Sequence, residues 1–241
     1  MEFTLAAYSA VGKRHNNEDS VTAERVDGGL LAVVADGLGG HSFGEQASRE
    51  AVRVLVEQLG GQIPSARELV RAIDRADRAV RVLQRDYPGC MTTVAALWLH
   101  GERAFVGHVG DTRVYQFRGE QIVYQSEDHS LAQLAVKNGE IRPEEIRGFP
   151  ERNVLFRALG GRGETRPCIR ELSLRAGDRL LLCSDGFWES LTEREMLQAA
   201  SRTETAEEWL AEMRRSVEPE ADDNNTAAAI VINSVRGERA Q

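Results

Sequence analysis

Two short apolar runs in this chain each end in an aspartate followed by glycine: Leu31-Ala32-Val33-Val34-Ala35-Asp36-Gly37 and Leu180-Leu181-Leu182-Cys183-Ser184-Asp185-Gly186. Runs of this length and content read as buried strands. A carboxylate next to such a strand is costly to charge unless it is paired or bound to a metal. The glycine lets backbone come close to a ligand, so that its carbonyl can add an oxygen. Taken singly, each pair reads equally well as a plain turn, because Asp-Gly is a favoured turn dipeptide. Further carboxylates extend the pattern. Asp111 lies in Val109-Gly110-Asp111-Thr112-Arg113, Glu18 and Asp19 close the run 14–19, and Asp222 and Asp223 precede Asn224-Asn225-Thr226. A donor set made of oxygen, with no Cys/His spacing, favours Mg2+ or Mn2+ over Zn2+.

The rest of the chain predicts many strands and grouped helices. Strands are expected at 3–9, 30–35, 94–99, 104–109, 113–117, 122–124, 169–174, 179–184 and 227–232, with Gly101, Gly110 and Gly119 punctuating the hairpins. Helices are expected at 44–59 and after Ser65, where Ser65 and Glu68 have capping-box spacing ahead of Leu69, Ile73, Ala76, Val80 and Leu83. Thr192/Glu195 and Thr205/Glu208 repeat that spacing, and 131–138 reads as a short helix. Strands without βαβ alternation, together with grouped helices, indicate an α+β domain with antiparallel sheets. No repeat or linker divides the chain, so a single domain over 1–235 is expected, with a polar tail at 236–241.

Charge narrows the function. There are 30 basic and 38 acidic side chains, a net charge of −8, which argues against nucleic acid or an anionic membrane as partner. Cys90, Cys168 and Cys183 form no CxxC pair, which fits a reducing, cytoplasmic setting. The N-terminus lacks the basic region and apolar stretch of a signal peptide, and no apolar run reaches the ~20 residues of a membrane span. A soluble monomer is the expectation.

The ordered segments 14–19, Asp36-Gly37-Leu38-Gly39-Gly40-His41, 107–113, Ser184-Asp185-Gly186 and 223–226 resemble the motifs of the bacterial metal-dependent protein phosphatases, the type 2C class. Gly44-Glu45-Gln46-Ala47-Ser48, Thr92-Thr93, Asp128-His129-Ser130 and Arg157-Ala158-Leu159-Gly160 extend the likeness across nearly the whole chain. The resemblance implies a four-layer αββα sandwich and hydrolysis of phosphoserine and phosphothreonine in proteins. It implies two tightly bound Mn2+ or Mg2+ ions, with a possible third. Asp36 would bridge the pair and the Gly37 carbonyl would complete the first site; Asp185 and Asp223, with Asp19 or Glu18, would hold the second ion. Asp111 and Asp185 match the positions of the third. Arg14 matches the arginine that clamps the substrate phosphate, which suits a guanidinium fork.

By the same resemblance, a water bridging two ions about 4 Å apart attacks phosphorus in line with the leaving oxygen. Some family members carry a histidine after the Asp-Gly pair as general acid. Leu38 stands there in this chain, so His41 and a metal-bound water are the two candidates. Met91 departs from the glycine usual before Thr92-Thr93, which implies local repacking. His15 reads as a surface residue and His129 as structural. Residues 131–152 correspond to the flap beside the active site. The expected partners are phosphorylated proteins and the Ser/Thr kinase that the enzyme opposes, with type VI secretion control as one setting. A catalytically dead phosphoprotein-binding module and a different metal hydrolase are the rival readings.

Overall fold

The computed structural model describes residues 1–38, 43–101 and 103–235. Two five-stranded antiparallel sheets form its centre. The first has the order β1 (Glu2–Ala10), β12 (Asn225–Ser234), β11 (Arg179–Cys183), β8 (Arg113–Arg118) and β9 (Gln121–Gln125). The second has the order β10 (Cys168–Ser173), β7 (Arg103–Val109), β6 (Val94–His100), β3 (Gly29–Ala35) and β2 (Ser20–Val26). A two-stranded ladder, β4 (Gly37–Leu38) with β5 (Met91–Thr92), sits beside them. Met91 therefore occupies the start of a strand.

The alternation of side chains along a strand builds four layers. Leu30, Ala32 and Val34 of β3 face Leu180 and Leu182 of β11 and Ala228 and Ile230 of β12 between the sheets. Leu31 and Val33 point the other way, against helices α1 (Gly44–Leu59) and α2 (Ala66–Leu83) through Ala51, Leu55, Leu69 and Ile73. Leu181 and Cys183 do the same on the far side, against α4 (Asp185–Ser190), α5 (Glu193–Ala200) and α6 (Ala206–Val217). Both strands are buried on two faces, which is why they read as continuous apolar runs rather than as alternating ones. The fold is the expected α+β sandwich with helix, sheet, sheet, helix in that order.

Helix starts follow the anticipated signals. Ser65 Oγ accepts the Glu68 N–H, and full capping boxes open α5 at Thr192 and α6 at Thr205. After β9 come α3 (Leu131–Lys137) and a 3-10 turn, Pro143–Gly148, within the Pro- and Gly-bearing excursion; Ala132 and Ile146 pack in the same cluster as Leu181 and Trp188. No described helix is long and apolar enough to cross a membrane.

Candidate metal centre

The acidic residues converge because both sheets end on the same side. Asp36 follows β3, Asp111 lies between β7 and β8, Asp185 opens α4 directly after β11, and Asp223 stands just before β12. Glu18 and Asp19 come from the loop between β1 and β2. A cleft of about 550 Å3 is lined by Arg14, Glu18, Asp36, Gly37, Asp111, Asp185 and Asp223, with His15, Asn16, Leu38, Asn153, Leu155 and Asn224 around them. Asp19 lies beneath this lining, 7% exposed. His41 falls outside the described residues.

The backbone of Asp36 is fixed from one side, so its carboxylate is left for the cleft. Its carbonyl accepts the Thr93 N–H and the Thr92 hydroxyl, both at 2.8 Å, and its own N–H donates to Thr93 Oγ1 at 3.1 Å. Two glycines allow close approaches that no side chain would permit. A Cβ on Gly37 would lie 2.3 Å from the Gly44 carbonyl carbon and 2.5 Å from the Glu18 oxygen. A Cβ on Gly186 would lie 2.2 Å from the Asn224 oxygen, so glycine lets the start of α4 meet the turn that carries Asp223. Asn224 ties the acidic loop together. It accepts the Glu18 N–H at 2.8 Å and donates to the Val11 and Asn16 carbonyls at 2.8 and 2.9 Å. Ser48 supports the same loop by donating to the Glu18 carbonyl at 2.5 Å.

The charges are poorly balanced by protein groups alone. Asp36 lies within hydrogen-bonding reach of Asp19 and Asp185. Burial, then the charge of Asp185, pushes Asp36 well above the usual carboxylate range. Burial and Asp185 do the same to Asp111. Asp185 is pushed up to about 7 by burial and then by Asp223. Burial, with Asp223 nearby, takes Asp19 up to about 6 in spite of the Ser184 hydroxyl that donates to it at 2.8 Å. Glu18 is raised as well, chiefly by burial. Among the described residues, the one cation that lines the cleft and pairs there is Arg14, whose guanidinium meets Asp223 at 2.6 Å.

Two oxygens decide whether this donor set fits a metal. Glu18 Oε1 and Asp19 Oδ1 are buried and have no hydrogen-bond partner. A buried acceptor without a partner is expensive in a folded protein unless something else occupies it. Orphaned carboxylate oxygens, raised acids and a glycine carbonyl together form an all-oxygen nest suited to Mg2+ or Mn2+.

A second group of ligand-type side chains, His108, His129 and Cys168, lies away from the cleft. Its hydrogen bonds speak against a metal. Gly110 N–H donates to His129 Nδ1 at 3.0 Å, so the proton of the neutral ring sits on Nε2, 3.3 Å from the Cys168 sulfur. A ligating Nε2 would need the opposite tautomer. Burial and the neighbouring His108 ring hold His129 down at about 3, so it stays neutral and props the Gly110 turn.

The family model for protein phosphatase 2C matches residues 8–229. The chain belongs to the protein phosphatase 2C family. This phosphatase 2C chain is 37% identical over 199 residues to the serine/threonine protein phosphatase PstP of Mycobacterium tuberculosis, covering 80% of this chain and 38% of that protein. It therefore spans well under half the length of the mycobacterial relative. It is 32% identical over 209 residues to the protein phosphatase PhpP of Streptococcus pneumoniae, covering 80% of this chain and 85% of that one. The PstP catalytic domain solved with two manganese ions superposes with a TM-score of 0.83 at 32% identity, covering 96% of this chain and 99% of that chain. PppA of Pseudomonas aeruginosa, described as a regulatory component of type VI secretion, superposes at 0.77 with 28% identity over 96% and 98% of the two chains.

Sequence reasoning passed over Asn224 and Ser184 as site residues. Neither carries chemistry that a sequence motif displays. Each acts by donating or accepting hydrogen bonds to loop backbone or to a neighbouring acid. Ser184 and Asn224 stood within the segments 184–186 and 223–226 that carry the resemblance, but without a role of their own.

Proposed function

We propose that this chain is a metal-dependent phosphatase that hydrolyses phosphoserine and phosphothreonine in proteins. The observation that carries the reading is the convergence of buried, unbalanced carboxylates from the ends of both sheets beside an arginine. Asp36, the Gly37 carbonyl, Asp185, Asp223 and Glu18 or Asp19 are the residues that would hold two divalent ions. Asp111 and Asp185 would hold a weaker third. Bound divalent ions supply positive charge opposite the phosphoryl oxygens and make water acidic enough to react near neutral pH.

The chain's own residues do the rest. Arg14 sits 60% exposed at the cleft, so it is free to exchange Asp223 for the two oxygens of a substrate phosphate. The buried strands fix the carboxylates before substrate arrives, which limits reorganisation during reaction. Among the described residues the cleft is lined by no cysteine, and burial raises the thiol of Cys183, so hydrolysis proceeds without a covalent cysteine step. His41 and solvent remain the two candidate proton donors for the leaving oxygen. Asn153 and Leu155, at the exit of the 131–152 segment, face the cleft, which supports that segment as a flap against which protein substrates lie.

Phosphoproteins made by a Ser/Thr kinase are the substrate class, and type VI secretion is one setting worth testing in view of PppA. The decisive experiment uses chelator-stripped protein and a phosphothreonine peptide. Hydrolysis should vanish on stripping and return with Mn2+ or Mg2+. Folded protein that stays inactive with every divalent ion would overturn the reading in favour of phosphoprotein binding.

A further inference from the structure

Trp188 is a buried residue of α4, 2% exposed, and two guanidiniums lie against its ring. The Arg113 guanidinium lies 3.5 Å from the ring centroid and that of Arg147 lies 5.7 Å away. Arg113 is itself fixed by a two-pronged pair with Asp128 at 2.9 and 2.7 Å. Arg147 comes from the 3-10 turn and donates to the Trp188 carbonyl at 3.0 Å, the Leu191 carbonyl at 3.2 Å and Glu193 at 2.9 Å. Clamped in this way, the indole N–H donates to the Asp111 carbonyl at 3.0 Å. From the opposite direction His129 grips the preceding residue, accepting the Gly110 N–H at 3.0 Å and donating its own N–H to the Gly110 carbonyl at 2.9 Å. Gly110 has φ +101°, so the turn between β7 and β8 is sharp and depends on these outside holds.

We propose that Trp188 is a positioning residue for Asp111: its indole N–H sets how the Asp111 carboxylate enters the cleft, and Arg147 ties that setting to the seating of the 143–148 turn. The inference rests on the proposed phosphatase reading for the role of Asp111 as the ligand of a weaker ion. Its physical content is that the last acid of the site is aimed by a side chain outside the cleft. A change in how the 143–148 turn is seated, as on docking of a protein substrate, would reach Asp111 through a single indole.

Trp188→Phe keeps an aromatic ring against the two guanidiniums and removes the N–H. Titration of Mn2+ followed by electron paramagnetic resonance should show the weaker ion bound about tenfold less tightly, the tight ions unchanged, in line with loss of one buried hydrogen bond. The same substitution placed in Asp111→Asn should change ion binding no further, because both act on one element. Losses that add in the double variant, or unaltered Mn2+ binding in folded Trp188→Phe, would overturn the proposal. A measurement on the unaltered protein stands if the variant does not fold. The chain has three tryptophans, so three indole N–H resonances, and Trp209 donates to Met196 at 3.1 Å far from the site. Mg2+ in the weak-binding range should move the Trp188 resonance and leave that of Trp209 in place; a stationary Trp188 resonance would also overturn it. These readouts need no turnover. A protein that binds ions as described but cleaves no phosphopeptide would lose the phosphatase reading and keep the positioning role.

Discussion

Asp36, Asp185 and Asp19 are close enough to share protons, and Asp223 adds a fourth carboxylate tied to Arg14 at 2.6 Å. Removing one of these buried carboxylates should therefore disable the site rather than weaken it. Asp36→Asn or Asp185→Ala should lower turnover by three orders of magnitude or more, about 4 kcal/mol of barrier, in steady-state assays with saturating Mn2+. Arg14 predicts a different signature. Under the proposed function it would make charge-assisted hydrogen bonds to phosphate worth roughly 1.5–3 kcal/mol, so Arg14→Ala should cut kcat/KM by about 10- to 100-fold, mainly through KM. Calorimetric Mn2+ binding should be no weaker in that variant, and could only gain from the release of Asp223. Weakened ion binding in Arg14→Ala would mean that the arginine organises the metal ligands instead of the substrate.

The element that depends most on a single position is the junction of β11, α4 and the turn before β12, where Gly186 lies against the Asn224 carbonyl. Gly186→Ala should push Asp185 and Asp223 apart, lowering Mn2+ affinity more than tenfold together with thermal stability; an alanine variant with normal ion binding would show that the junction is pliable. This junction also shows what the sequence displayed and what it hid. Buried strands β3 and β11 were legible, since burial on both faces leaves an uninterrupted apolar run, and the aspartates at their ends stood out against it. Strand β2 was not anticipated, because its Ser20-Val21-Thr22-Ala23-Glu24-Arg25-Val26 is half exposed at a sheet edge and carries little apolar signal. Helix α4 was hidden for the opposite reason: Asp185-Gly186 looks like a turn, and only the tertiary packing of Phe187 and Trp188 makes a helix of it. The carboxylates could be picked out by their neighbours, whereas Asn224 and Ser184 could not, since the acidic loop that each of them holds, through the Glu18 N–H and the Asp19 carboxylate, lies more than 160 residues away in the chain.

For the molecule as a whole, the unbalanced acids make stability depend on pH and on metal together. In the metal-free protein Asp185 is raised from 3.8 to about 7 and Asp19 to about 6, so the folded state holds protons that the unfolded chain releases. That contribution is fully present below about pH 4 and is lost as pH rises through 6 to 7. Melting temperatures of stripped protein should accordingly fall across this window, and Mn2+ should raise them more at pH 7.5 than at pH 5. An equal metal-induced gain at both pH values would show that the acids are balanced by something other than divalent ions. The pairing of β1 with β12 sets Glu2 against Ser234 and Ala10 against Asn225, so the two ends of the described chain meet in one sheet, with the loops bearing Glu18 and Asp223 on the same edge. Asp185 and Asp223 flank strands of one sheet and Asp36 ends a strand of the other, so the full set of acids gathers only when both sheets have closed on each other. Occupancy of the centre thus acts as an inspection stamp on the finished fold: chains caught with only one sheet assembled have no complete site to fill, and divalent ions draw the population solely toward the last step of folding.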